Sequence, residues 1–157
     1  MRNGGRWAAV SALALSVGLT GCGASTTTTS SSSEPPAHVE AISGKDVKQV
    51  TLTDQAVKRV GIETTTVAAA AKDAAGAAPA TPMMTLPYSA VIYSADGAAW
   101  VYTVPSPRTY IREKVAVANV GGDQGSVAWL SAGPAVGTTV VTVGVPELYG
   151  AELGVGK

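Results

Sequence analysis

Two low-complexity stretches leave only about one hundred of the 157 residues from which a folded core can be built. Residues 25–36 consist of Ser, Thr, Glu and Pro alone, so they lack the apolar side chains of a core and are typical of a flexible tether. Residues 68–82 are rich in alanine but contain Gly76, Pro79 and Pro82, which disfavour a stable helix and indicate a loop. The folded part is therefore predicted to combine residues 43–67 with residues 83–157 in one core.

The longer of these pieces is a succession of short apolar segments separated by turn residues. Tyr88–Tyr93 and Trp100–Val104 flank an Asp96-Gly97 pair, which favours a tight hairpin between two strands. Thr138–Val143 is β-branched throughout, as expected of a buried strand. Further strands are predicted at Arg112–Val117 and Ser126–Leu130. With 18 glycines and abundant Val and Thr, the composition suits short strands better than long helices.

The shorter piece predicts two strands around one short helix. Val47–Leu52 is the first strand, and Thr53 is a plausible N-cap for a helix over Asp54–Val60. Gly61 supplies a C-terminal stop before a Thr-rich strand over Ile62–Val67. The predicted fold is thus mainly β: a small single domain of sandwich or roll type with one short α-helix.

The N-terminus has the organisation of an export signal. Arg2 and Arg6 precede an apolar stretch of 13 residues, Trp7–Leu19, too short for a membrane span, which needs about 20. Leu19-Thr20-Gly21-Cys22 resembles the lipobox of bacterial lipoproteins, in which the cysteine sulfur receives a diacylglyceryl group and the signal is cut before it. An ordinary secreted protein with an unpaired thiol, or an uncleaved anchor, is the alternative. The prediction is a signal peptide at residues 1–21, lipidation at Cys22, a tether at 22–42 and a domain at 43–157 with the alanine-rich loop at 68–82.

The charge balance and the single cysteine restrict which functions are expected. The chain has eleven basic and eleven acidic residues, and loss of Arg2 and Arg6 with the signal would leave nine against eleven. Such a balance argues against nucleic acid as a partner, because nucleic-acid binders normally show a basic patch. A single cysteine excludes an intramolecular disulfide, so a domain outside the cytoplasm would depend on its apolar core.

Several stretches, taken in order, resemble periplasmic adaptor subunits (membrane fusion proteins) of RND-type and heavy-metal efflux systems. The stretches are Val50–Thr53 through Val60–Thr64, Leu86–Val91, Trp100–Tyr102, Gly137 with Val140-Val141, and Gly144 through Glu147-Leu148. In that family the two ends of the chain build the membrane-proximal domain, so the resemblance implies a protein reduced to this domain. Pro134 departs from the family's usual leucine. The adaptor's hairpin and lipoyl parts have no counterpart here, so the family's complete function does not carry over.

No candidate catalytic or metal site emerges from the sequence. His38 lacks a cluster of partner ligands, so a solvated linker histidine is favoured over a metal ligand. Met83 and Met84 would point to opposite faces of a strand, which favours packing over Cu(I) binding. Neither the stretch around Ser131 nor the glycines at 121–125 complete a nucleophile elbow or a phosphate loop. No enzyme activity, cofactor or metal is therefore predicted.

One aromatic pair could serve either core packing or recognition of another protein. Trp100 and Tyr102 share one face of their predicted strand; core packing is favoured for them, and exposure would mark a protein contact. The functional expectation is an extracytoplasmic lipoprotein, held on the membrane through Cys22, that acts as a protein-interaction module and accessory to an exporter or permease. The alternative is a free-standing structural or sensory envelope lipoprotein.

Overall fold

A computed structural model describes residues 34–155, in which strands dominate and the predicted mainly-β fold is confirmed. The strands are β1 Ala37–Ala41, β2 Lys48–Leu52, β3 Glu63–Thr66, β4 Ala68–Ala69, β5 Met84–Pro87, β6 Ile92–Tyr93, β7 Ala99–Ser106, β8 Thr109–Gly121, β9 Val127–Ala132 and β10 Thr139–Val143. The α-helices are α1 Asp54–Val60 and α2 Val145–Leu153, and single 3-10 turns lie at Tyr88–Ala90 and Asp123–Gly125.

The strands form one nearly closed sheet in the order β3-β10-β7-β8-β9-β5-β4. The two ends of this order are neighbours in the chain, since Val67 alone separates β3 from β4. The Val67 N–H donates to the Thr138 carbonyl at 2.9 Å, and the Val67 carbonyl accepts from the Gly137 N–H at 2.8 Å. Residues 63–69 therefore pair with β10 at one end and with β5 at the other.

Two apolar clusters lie on opposite faces of the central strands. Val101 and Val140 belong to the cluster enclosed by the sheet, together with Val67 and Leu130. Their chain neighbours Tyr102 and Val141 belong to a second cluster, which β2, α1 and α2 cover. Because side chains alternate along a strand, the adjacent buried residues of β7 and of β10 face opposite clusters, which explains why β10 is β-branched throughout.

The two sequence pieces form one structural unit, as predicted. β2 pairs antiparallel with β8, where Val50 lies opposite Tyr110. β3 pairs antiparallel with β10, where Thr65 lies opposite Val140. Each strand of the shorter piece thus completes a ladder of the longer one.

The helix α1 has the predicted bounds and caps. The Thr53 hydroxyl accepts from the Ala56 N–H at 3.2 Å, and Asp54 lies in the positively polarised first turn. Gly61 has a φ of 71° and ends the helix in the left-handed conformation that glycine adopts without strain.

The predicted Asp-Gly hairpin is present, but its first strand is shorter than expected. Gly97 turns with a φ of 80°, and its N–H donates to the Ser94 carbonyl at 2.8 Å. The predicted strand Tyr88–Tyr93 is wrong in its first half, because Tyr88–Ala90 forms a 3-10 turn and only Ile92–Tyr93 pairs with β7. Pro87 and the buried Ala90 mark this corner, where the chain passes from β5 to the opposite part of the sheet.

The predicted tether, residues 22–42, extends too far along the chain. Residues 37–41 form strand β1, which pairs along its whole length with β2 and places Ala37 opposite Leu52. In the sequence Ala-His-Val-Glu-Ala only Val39 has a strong β propensity, so this strand forms because β2 offers a partner edge and not because of a strong local preference.

The alanine-rich segment 68–82 is a loop after its first two residues, which form β4. The loop is held in place at two points. The Trp129 indole N–H donates to the Lys72 carbonyl at 2.8 Å. The Asp73 carboxylate accepts from the N–H groups of Ala75 and Ala77, each at 2.9 Å, which closes a local turn.

The predicted short helix is α1, and the structure adds a second helix, α2, that the sequence did not predict. Pro146 stands at its start, where a missing N–H costs nothing. Gly144 precedes it with a φ of 89°, and a Cβ there would overlap Ile62 and Val60. Gly150 and Pro146 give the sequence of this segment weak helical preference, and packing on the second cluster supplies the stability that propensity lacks.

Candidate functional site

An apolar groove of about 220 Å³ lies between α1 and α2, next to the start of β1. Its walls carry the charged side chains of Arg59, from α1, and Glu147, from α2. The rest of its lining is apolar: Pro36, Ala37, Leu52, Ala56, Val60, Leu148 and Ala151.

A second apolar hollow of about 260 Å³ continues this groove towards the end of α2. The two share Pro36, Ala37 and Ala151, so they are adjacent, and together they are here called the apolar groove. The second hollow adds Pro35, Val39, Gly154 and Val155.

Small side chains create the groove. Ala56 faces it from α1, Ala151 from α2 and Ala37 from β1. Alanine cannot reach across the space between two helices, whereas Leu148 and Leu52 fill the floor. The hollow is therefore part of the folded shape and needs no rearrangement to accept an apolar group.

A buried polar network fixes the helix that forms one wall of the groove. The Glu152 side chain in α2 is only 3% exposed, and its Oε2 accepts from the Tyr102 hydroxyl at 2.6 Å. Its Oε1 accepts from Arg112 at 3.1 Å and from the Lys48 N–H at 3.2 Å. The Lys48 ammonium in turn donates to the Glu152 carbonyl at 3.3 Å. The carboxylate thus ties α2 to β2, β7 and β8.

Arg112 is held between two aromatic rings. Its guanidinium carbon lies 4.4 Å from the centre of the Trp100 ring and 5.3 Å from that of Tyr149. Its Nε makes no hydrogen bond to any residue of the described range. Burial, and then the hydrogen bond and negative charge of Glu152, raise the pKa of Tyr102 far above its usual range, so this hydroxyl stays a donor.

This network holds α2 against the sheet, and none of its groups is free to react with a substrate. The Glu152 oxygens accept from three donors, and Tyr102 is fully buried. A nucleophile or general base needs access to a substrate, and a paired carboxylate at 3% exposure has none. The network instead gives the groove a rigid wall.

The predicted lipidation residue, Cys22, lies outside the described residues. His38 is in β1 and not in a linker, with its Nε2 3.5 Å from the Glu34 carboxylate and its side chain about half exposed. No group of three or more His, Cys, Asp or Glu side chains within residues 34–155 could hold a metal ion.

The other residues considered from the sequence have structural surroundings. Met84 packs against the enclosed cluster from β5, and Tyr102 is buried in the second cluster. Trp100 lies on the same face as Tyr102, half-buried beneath Arg112. Ser131 lies inside β9, where its hydroxyl contacts the Ala116 carbonyl at 3.4 Å.

Sequence reasoning missed both the groove and the network. The sequence predicts Arg112 at the start of a strand and indicates no partner for it. Its register opposite Tyr102 is what brings it to Glu152 from the helix that was not predicted. A weak signal was present: Trp100 and Tyr102 share one face of their strand, and aromatic rings often cover a cation.

Comparisons with known proteins do not assign this chain to a family. Neither a scan against protein-family models nor a search of curated proteins finds a match to this chain. Among the described residues, no helix is long and apolar enough to cross a membrane.

Proposed function

We propose that the protein is an extracytoplasmic lipoprotein, anchored in the membrane through Cys22, whose apolar groove binds an apolar segment of another membrane protein. The partner class is an exporter or permease, to which this protein is an accessory. The lipobox-like sequence at Leu19–Cys22 supports the anchor. The resemblance of several stretches to efflux adaptors supports the partner class.

The observation that carries the proposal is the lining of the groove. Its floor is apolar, while Arg59 stands on one wall and Glu147 on the other. Such a surface fits a partner segment that buries aliphatic side chains and places charges of both signs along its flanks. The buried Glu152 network holds one wall in place before binding, which reduces the ordering cost of association.

The anchor is tested by replacing Cys22 with serine. We expect the variant to leave the membrane fraction, because serine cannot form the thioether to the lipid and a tether without acyl chains has no apolar anchor. Detergent phase partitioning and cell fractionation measure the effect. A variant that still partitions with the detergent like wild type contradicts lipid anchoring.

The groove is tested by photo-cross-linking in cells from two adjacent positions of α1. Arg59 lines the groove, whereas Lys58 is exposed beside it and does not. A benzophenone amino acid at Arg59 is expected to form an adduct with an integral membrane protein, identified by mass spectrometry. The same residue at Lys58 is the matched control.

Adducts with an exporter or permease at Arg59 and not at Lys58 support the accessory function. Equal labelling from both positions, or no protein adduct at Arg59, contradicts it. In that case a free-standing envelope lipoprotein becomes the better description.

A further inference from the structure

We infer that the end of the groove next to residue 34 rests on the lipid surface of the membrane. The surface concerned, here called the entry patch, consists of Pro35, Pro36, Val39, Ala151 and Val155. This inference rests on the proposed anchor at Cys22 and specifies which side of the domain that anchor draws to the bilayer.

The entry patch lies where the chain enters the described domain. Pro35 and Pro36 immediately follow the first described residue, Glu34, and they share a hollow with Val155. Val155 is 74% exposed, the largest exposure among the big apolar side chains of the described range. None of the residues lining this hollow carries a charge. An apolar surface of this kind is costly in water and suits the boundary between lipid headgroups and acyl chains.

The length of the preceding chain brings the patch to the bilayer. Twelve residues, Cys22 to Ser33, separate the proposed lipid attachment from Glu34. A random coil of this length and Ser/Thr-rich composition has a root-mean-square span of about 19 Å. A domain held on so short a tether meets the membrane at a high effective concentration, so even a weak apolar contact is occupied.

Backbone hydrogen bonding at two parts of the entry patch, the prolines and the end of α2, favours lipid over a peptide strand as the occupant. Val39 belongs to β1, which among the described strands pairs only with β2. Pro35 and Pro36 have no N–H group, and the Pro36 carbonyl accepts from the Thr53 N–H at 3.1 Å. The N–H groups of Gly154 and Val155 donate to Ala151 and Gly150 at the end of α2. A peptide added as a strand needs free donors and acceptors, whereas lipid requires that they be satisfied. These backbone groups meet the second requirement.

This placement restricts which part of a partner protein can reach the groove. The entry patch shares Pro36 and Ala151 with the part of the groove between α1 and α2, so that part would open close to the bilayer surface. A segment reaching it would come from the membrane-adjacent portion of an integral membrane protein. An amphipathic helix at the surface or the end of a transmembrane helix has the required chemistry.

The test uses full-length lipidated protein in vesicles of phosphatidylcholine and phosphatidylglycerol. Cys22 is the chain's single cysteine, and its sulfur is blocked by lipid in this protein, so an introduced cysteine is the one free thiol. Val155→Cys and Val136→Cys each receive an environment-sensitive fluorophore. Val136 is the matched control, because it is also exposed, at 57%, and β10 separates it from α2.

The expected result is several-fold stronger quenching of the fluorophore at position 155 than at position 136 by nitroxide-bearing lipids, with a blue-shifted emission at 155. Equal quenching on vesicles that carry the protein overturns the entry-patch inference and leaves the anchor intact. Failure of the protein to float with the vesicles overturns both. Shielding at 155 that needs added membrane protein and shows no lipid quenching assigns the patch to a protein contact and overturns the inference.

Discussion

Replacing Glu152 by alanine is expected to lower the melting temperature by about 10–20 °C, the largest effect of any single substitution of a charged residue in the described range. The variant leaves Arg112 buried with no carboxylate beside it. It also removes the acceptor of the Tyr102 hydroxyl and of the Lys48 N–H. Breaking a buried ion pair from one side costs about 3–5 kcal/mol, because the remaining charge is neither solvated nor paired.

The matched control is Glu147→Ala on the same helix. Glu147 is exposed and lies in the first turn of α2, where a carboxylate contributes at most about 1 kcal/mol. Thermal unfolding followed by circular dichroism measures both variants. If Glu152→Ala melts within the range of Glu147→Ala, the network does not hold α2 on the sheet.

Replacing both charged partners distinguishes two causes of destabilisation: an unpaired buried charge and the loss of side-chain contacts. Arg112→Met with Glu152→Leu keeps apolar bulk over the Trp100 ring and removes both buried charges. Hydrophobic replacements of buried pairs are often neutral or stabilising, so this double variant is expected to recover much of the loss. Recovery would show that the single variant is destabilised chiefly by an uncompensated charge.

Elements with local signals could be predicted from the sequence, and α1 is the clearest case. Thr53 as N-cap, Asp54 in the first turn and Gly61 in the left-handed conformation act within one or two turns of the chain. The Asp96-Gly97 hairpin and the β-branched strand β10 are likewise specified by residues that are close together in the sequence. No distant partner is needed to specify these features.

Elements that depend on distant partners were missed. Strand β1 forms because the edge of β2 is available, and α2 forms because Val145 and Leu148 bury their side chains in the second cluster. The sequence of α2 holds Pro146 and Gly150, which local rules read as breakers. Tertiary packing overrides propensity in both cases.

The candidate site could not be predicted, because a hollow is defined by the side chains that are too short to fill it. Ala37, Ala56 and Ala151 come from three separate parts of the chain, and each is an ordinary helix or strand residue by itself. Glu152 and Arg112 are likewise ordinary surface charges until register and helix packing bring them together. The lipidation of Cys22, by contrast, is a prediction that rests on a contiguous stretch of sequence.

Fragment 83–157 is expected to lack stable structure when the preceding residues are removed. It loses β2 and β3, the pairing partners of β8 and β10. It also loses Val50, Leu52 and Val67 from the two apolar clusters. Burial of three such side chains contributes on the order of 5 kcal/mol, comparable with the whole stability of a small domain. Amide hydrogen exchange should therefore show no slowly exchanging core in the isolated fragment.

Adding a second fragment, residues 34–82, provides the matched control. The break between the two fragments falls at the end of the alanine-rich loop, beyond β4 and before β5, so it cuts no strand. Mixing them should restore slow exchange in β7, β8 and β10 together, because these strands share both clusters and the ladders to β2 and β3. Protection of these strands in fragment 83–157 alone would contradict the expectation. The N-terminal piece would then be an appendage, and the resemblance to a domain built from both ends of an adaptor chain would lose its structural basis.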